Sequence, residues 1–248
     1  LALGNVILVG FVTLAQDNLK SMIGYGSVMH MGYCFLGIGA CSALGAGSAV
    51  MLMCAHGLSV ALMFLLAQFI YKRTGTYEMN EMGGLASRTP ILACFLVAAT
   101  LATIGLPGFG NFWGEFGVFL SLGEMTENRF FLGLAALGII ISAIFGLRAV
   151  ARTLYGSPSE ELEKHLEKNS PIDLSRGELL SSGVILAALT LIGLFPSSIS
   201  ERIDGEIGSR YAAFKEVQVS SGRPSCCPIE DDTKDSAEAD KESILTNP

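Results

Sequence analysis

Charge is scarce in this chain. Only 16% of its 248 residues are charged, against about 25% in an ordinary soluble domain. What charge there is falls unevenly: residues 1–156 hold few charged side chains, and 157–178 and 201–248 hold most of them. That pattern excludes a plain soluble domain and fits apolar spans joined by wet loops. The common cofactor motifs are missing too. No GxxxxGK[ST], no GxGxxG between strand and helix, no HExxH and no paired CxxC occurs. No residues are left to carry soluble redox or hydrolytic chemistry, and no cofactor, metal or nucleic-acid partner is expected. The six cysteines form no framework. Cys34, Cys41, Cys54 and Cys94 lie in apolar runs and read as small core residues, while Cys226 and Cys227 are adjacent in the tail. A basic n-region and a small-residue cleavage site are also lacking, so the first stretch is not a signal peptide. Leu1 stands where a Met is usual and opens inside an apolar run, which reads as a piece of a longer protein.

Apolar runs are abundant. Half the residues are hydrophobic and the mean hydropathy is +0.50. A membrane-crossing helix needs about 20 mostly apolar residues. Five or six segments qualify: 1–16, 22–44, 47–71, 90–122, 130–151 and 179–200. The expected fold is all-α, a polytopic transmembrane helix bundle over 1–200. The extension 201–248 reads as a short surface helix over 201–219 followed by an acidic, disordered tail.

Loop charge suggests an orientation. If the spans alternate, Lys20, Lys72, Arg73, Arg88, Arg152, Lys164, Lys168 and Arg176 fall on one side. The opposite loops carry only Arg129. The positive-inside rule puts the basic side in the cytoplasm and the C-terminus on the outer side.

The segment 90–122 is too long for a simple crossing at about 1.5 Å per residue. Pro107 removes a backbone donor, and Gly105, Gly108 and Gly110 loosen the same place. The reading is a discontinuous helix: one half near 91–105, an irregular link, and a second half near 111–122. Irregular backbone at membrane depth survives only inside protein or beside a watery cavity. The competing reading is a kinked structural helix plus a loop.

Three ionisable residues fall deep in the apolar runs: His30, His56 and Glu115. Such groups are costly in a membrane and often mark ion or proton paths. Histidine changes charge near neutral pH and suits a relay. His30 lies about eight residues into its span and His56 about nine into the next, antiparallel one. They are expected at different depths, as stations on a chain with Glu115. Each also has a bland reading, as a hydrogen bond to a neighbouring helix. Tyr25, Ser27, Ser59, Thr100 and Thr103 either line the path or bond their own backbone. Metal binding by the two histidines and a carboxylate is not favoured by the spacing.

The stretches "AQDNLKSMIGYGSVMHMGY", "MCAHGLSVALMFLLAQFIYKRTGTYEMNEMGGL", "LATIGLPGFGNFWGEF" and "ARTLYG" together resemble the C-terminal half of an antiporter-like membrane subunit of respiratory complex I, NADH:quinone oxidoreductase. The M-type, or chain 4, subunit is the nearest in pattern, and the resemblance runs from about residue 1 to about residue 200. It implies a proton-translocating unit of two inverted five-helix repeats, each with a broken helix, and the Pro-Gly break here resembles the second. Glu115 would be the acid on the exit side of the proton path, and His30 and His56 would link that exit to the central axis. Lys20 sits at a helix end and reads as an interfacial charge. The implied partners are other complex I membrane subunits, the lipid bilayer, protons and water, in a cell inner membrane. No redox chemistry and no direct NADH or quinone binding is expected in this chain. Gly24-Tyr25-Gly26-Ser27 departs slightly from the family pattern, and the tail after about 200 has no counterpart. Two other readings stand beside this one: a subunit of a multi-subunit cation/proton antiporter or membrane-bound hydrogenase, and a structural membrane scaffold with no conducting path.

Overall fold

The computed structural model describes residues 1–125, 129–157, 159–160, 162–163 and 173–221. Lys164, Lys168, the Cys226–Cys227 pair and the acidic tail lie outside the described residues. Among the described residues there is no strand, only one bridge between Asn18 and Glu78. The helices are α1 Ala2–Leu14, α2 Leu19–Gly39, α3 Ala43–Thr74, α4 Leu85–Arg88, α5 Pro90–Ile104, α6 Gly110–Met125, α7 Arg129–Leu154, α8 Arg176–Leu194 and α9 Ser197–Ser221.

Local chemistry sets the helix ends. The Asn18 side chain accepts from Ser21 N at the start of α2, and Ser42 accepts from Gly45 N at the start of α3. Gly75 closes α3 in the left-handed conformation. Pro90 opens α5, and the Asp173 carboxylate accepts from Ile91 N at 2.8 Å and Leu92 N at 3.1 Å, filling donors that a helix start leaves unpaired. Ser175 and Glu178 form a capping box on α8. Phe195-Pro196 ends α8, and α9 begins directly afterwards. Proline cannot continue a helix but starts one readily.

The surface is apolar and the interior holds the polar groups. Along α7, Ile140, Ile144 and Leu147 are exposed on one stripe. Leu8, Phe11, Phe35 and Val184 are exposed on other helices. His30, His56, Ser59, Asn111, Glu115 and Ser142 are buried. This distribution suits a bundle surrounded by lipid. Among the described residues three helices, Ala43–Thr74, Phe130–Leu154 and Arg176–Leu194, are long and apolar enough to cross a membrane, and Ala2–Leu14 and Pro90–Ile104 are shorter apolar helices. The chain is a multi-pass membrane protein. One expectation about the core fails. Cys34 is buried, but Cys54 and Cys94 are exposed and Cys41 is intermediate. An apolar run in a membrane bundle has a lipid-facing side, and a thiol is compatible with it.

Small residues bring the central helices together. On α6, Gly110, Gly114 and Gly117 form a stripe against α3. A Cβ on Gly114 would stand 2.6–2.8 Å from Leu52 Cβ, Cα and N. One on Gly110 would stand 3.1 Å from Ala55 Cβ. Backbones approach this closely only where side chains are absent. The 90–122 stretch is interrupted as the prolines and glycines indicate: α5 ends at Ile104, α6 begins at Gly110, and Gly105 and Gly108 take positive φ between them.

One end of the bundle gathers the charge. Arg152 donates to Asp17 at 2.7 Å and to Asn80 at 2.8 Å. Arg73 donates to Glu178 at 2.6 Å, and Lys72 reaches the same carboxylate at 3.3 Å. Lys20 Nζ lies 5.7 Å from the Tyr77 ring centroid, at the start of α2. Arg88 closes α4 and Arg176 opens α8, on the segments that flank this network.

Candidate functional site

Polar side chains from α2, α3, α6 and α7 meet in the middle of the bundle. His30, His56 and Glu115 are 1%, 2% and 3% exposed, so all three are cut off from solvent. His30 Nδ1 lies 3.2 Å from Glu115 Oε1. The His30 and His56 rings are 5.1 Å apart between centroids, tilted by 33°. The three residues singled out in the sequence therefore form one cluster.

Their expected separation in depth is corrected. The turn at 40–42 is tight, with Cys41 in a left-handed conformation at φ +50°. It folds α3 back along α2, so both histidines are measured from the same end. His30 lies about ten residues before that turn and His56 about fourteen after it. The difference is about one helical turn of 5.4 Å, and the rings meet at nearly one level.

Each histidine has a serine from another helix. Ser27 Oγ is 3.0 Å from His56 Nε2, and Ser142 Oγ is 3.1 Å from His30 Nε2. Which atom donates depends on the tautomer. Asn111 lies one helical turn before Glu115 on the same face of α6. Its amide donates to Ser59 Oγ at 3.0 Å, and Ser59 in turn donates to the His56 carbonyl at 3.0 Å. The helix that carries the acid is thus tied to the helix that carries His56.

The acid also sits against the helix interruption. A Cβ on Gly105 would collide with the Glu115 carboxylate, so the left-handed glycine that ends α5 leaves the space the acid occupies. Unused hydrogen-bonding capacity concentrates here. His30 Nδ1, His56 Nδ1, Asn111 Oδ1 and Glu115 Oε1 are buried without a hydrogen bond, the His30–Glu115 contact being close but not aligned as one. Buried polar atoms without a protein partner are uncommon in folded proteins. A cavity of about 20 Å³ borders Ser27, Thr100 and Thr103, with Met22 and Ile23 from the first turns of α2 in its wall. Its exposed lining is apolar, so it offers no partners to a water.

The other hydroxyls divide. Tyr25 is exposed. Thr100 and Thr103 donate to their own helix, at Leu96 O and Ala99 O. Ser27 and Ser59 take part in the cluster. Asn111, Ser142 and Tyr33 are polar groups of this region that sequence reading did not single out; the Tyr33 hydroxyl donates to Ala135 O at 2.9 Å. Asn111 had a legible signal, its i, i+4 relation to Glu115. Ser142 had only the weaker one of a lone hydroxyl in an apolar helix. Two imidazoles in hydrogen-bonding reach of hydroxyls, one of them 3.2 Å from a carboxylate, are groups that can accept and release protons.

Residues 1–148 match the family described as NADH:quinone oxidoreductase/Mrp antiporter, TM. Over 224 residues the chain is 34% identical to the NAD(P)H-quinone oxidoreductase chain 4 of Synechococcus sp. (strain CC9605), covering 86% of this chain and 41% of the relative. Over 194 residues it is 34% identical to the NADH-quinone oxidoreductase subunit M of Rickettsia felis, covering 78% and 38%. Among solved structures it is similar to a chain of respiratory complex I from Thermus thermophilus with bound NADH. The TM-score is 0.75 at 30% identity, covering 86% of this chain and 43% of the other. The chain spans about two fifths of the length of the relatives it matches.

Proposed function

Because the chain belongs to the transmembrane family of NADH:quinone oxidoreductase and Mrp antiporter subunits, we propose that it carries part of a proton path in a complex I membrane subunit of the M, or chain 4, type. Proton movement in this chain is coupled to quinone reduction in other subunits. The observation that carries the reading is the buried contact of His30 with both Glu115 and His56. A charge at bilayer depth costs about 2.5–3.5 kcal/mol on insertion scales. Leucine at position 115 would avoid that cost, and the acid is retained next to a backbone interruption and two imidazoles. In this reading protons pass among His56, His30 and Glu115. Redox chemistry, NADH and quinone belong to other subunits, which are its partners together with lipid, protons and water.

The topology follows from the same reading. Helices α5 and α6 are two halves of one discontinuous crossing. With α1, α2, α3, α7 and α8 this makes about six crossings over 1–200. The segment 201–248 is an extension outside the antiporter-like unit. The end that gathers Arg73, Arg152 and Arg176 faces the cytoplasm of a cell with this complex in its inner membrane, by the positive-inside rule. The C-terminus lies on the outer side.

The test is a pair of substitutions in the intact complex. Glu115→Gln keeps shape and hydrogen bonding but removes titration, and Glu115→Asp keeps titration with a shorter reach. The Gln complex is expected to assemble and to lose most proton pumping in membrane vesicles, while Asp retains much of it. Full pumping by the Gln complex would sink the proposal. The family description also names Mrp antiporters, so a second reading is a cation/proton antiporter subunit. It predicts sodium-driven proton movement without NADH, which the same vesicles measure. A non-conducting scaffold would be indifferent to both substitutions.

A further inference from the structure

We propose that Ser142 of α7 is a positioning residue that holds His30 in the orientation in which its Nδ1 meets Glu115. The inference rests on the reading of His30 and Glu115 as proton-carrying groups. A serine or threonine hydroxyl in an apolar helix ordinarily bonds a carbonyl of its own preceding turn. That is what Thr13, Thr74, Thr100, Thr103 and Thr190 do here, with donations of 2.7–3.0 Å to Val9, Ile70, Leu96, Ala99 and Leu186. Ser142 differs. It is 1% exposed, and its hydroxyl lies 3.1 Å from His30 Nε2 on another helix.

The consequence is geometric. An imidazole ring can flip about its Cβ–Cγ bond, which exchanges the nitrogen at Nδ1 with a carbon. The hydrogen bond at Nε2 from α7 would be lost on a flip, so it favours the one orientation that leaves Nδ1 3.2 Å from Glu115 Oε1 on α6, with the His56 ring beside it. A hydroxyl also both donates and accepts. It can therefore hold Nε2 when that atom is bare and when it carries a proton, and the ring stays in place as a proton arrives and leaves. Holding the helix in place is a separate matter. The Tyr33 hydroxyl, one turn from His30 on α2, donates to Ala135 O two turns before Ser142 on α7. That bond sets α2 against α7 without Ser142.

The test uses the assembled complex in membrane vesicles, measuring the rate of proton translocation with NADH as donor. Ser142→Ala is expected to assemble normally and to pump about three- to tenfold more slowly, the scale of one neutral hydrogen bond lost at the reacting group. Ser142→Thr restores the hydroxyl and is expected to keep most of the activity. Full pumping by the Ala complex overturns the proposal, as does a Thr complex as impaired as Ala. Failure of the Ala complex to assemble also overturns it, in favour of a structural hydroxyl. Glu115→Gln, measured alongside, separates the two levels. If it pumps fully, the reading of the site fails; if it is impaired while Ser142→Ala pumps fully, only the role of Ser142 fails.

Discussion

At Gly105 the backbone takes φ +82°, and an added Cβ would strike the Glu115 carboxylate. One residue thus meets two demands: a left-handed conformation at the end of α5 and space for the acid of α6. A non-glycine residue held at positive φ costs about 1–3 kcal/mol. Gly105→Ala is expected to impair pumping more than assembly, because its second effect is to push the carboxylate away from His30. Comparing assembled complex by native gel with vesicle pumping checks this. Equal pumping per assembled complex would mean that the glycine serves the fold alone. At this scale the sequence was informative where a residue type is costly. An acid and two histidines in apolar runs announce themselves by the energy needed to bury them. Ser142 does not, because a serine in a membrane helix is ordinary, and only its distance to His30 distinguishes it.

At the scale of elements, the interface of α3 and α6 holds the site together. Gly114 meets the backbone of Leu52, and backbone cannot step aside as a flexible side chain can. The Asn111–Ser59 hydrogen bond lies one turn from this contact. Gly114→Ala is expected to force α6 away from α3, at about 1–3 kcal/mol for an overpacked interior. Both thermal stability of the complex and pumping should fall. Gly123→Ala is the control, since a Cβ there meets nothing within 4 Å. It is expected to be neutral or slightly stabilising, as alanine favours helix over glycine. Loss of stability in both variants would mean that helix content, not the close approach, decides. Element boundaries were largely legible. Pro90, Gly105, Gly75 and Pro196 mark four of them by chemistry that operates within a few residues. The exposed position of Cys54 and Cys94 was not, because the spans are apolar on every side and lack the contrast from which a buried face is read.

For the whole molecule, ion pairs at one end join segments far apart in the chain: Asp17 with Arg148 and Arg152, and Glu178 with Lys72 and Arg73. Helix α8 starts beside this network and runs to Leu194, so Ser198 lies towards the opposite end from Ser87. Both serines are exposed. With single cysteines at these positions in a background without the natural ones, a membrane-impermeant thiol reagent is expected to reach Ser198→Cys from outside intact cells. Ser87→Cys should react only after the membrane is opened. Labelling of both from one side would overturn the proposed crossings, and the reversed pattern would overturn the orientation alone.

The sequence by itself determined the class of molecule, the family, the interruption between α5 and α6 and the three titratable residues of the cluster. The family rests on a resemblance of motifs to known sequences, and the others on composition or on signals that act over a few residues. Only the tertiary structure decided that His30 and His56 share a level, that Glu115 touches His30, and that Asn111 and Ser142 belong with them. Those facts depend on how one helix is set against another. Glycine stripes and a tight turn determine that setting, through contacts between residues far apart in the chain, such as Gly10 with Ile141 and Gly138 with Val6.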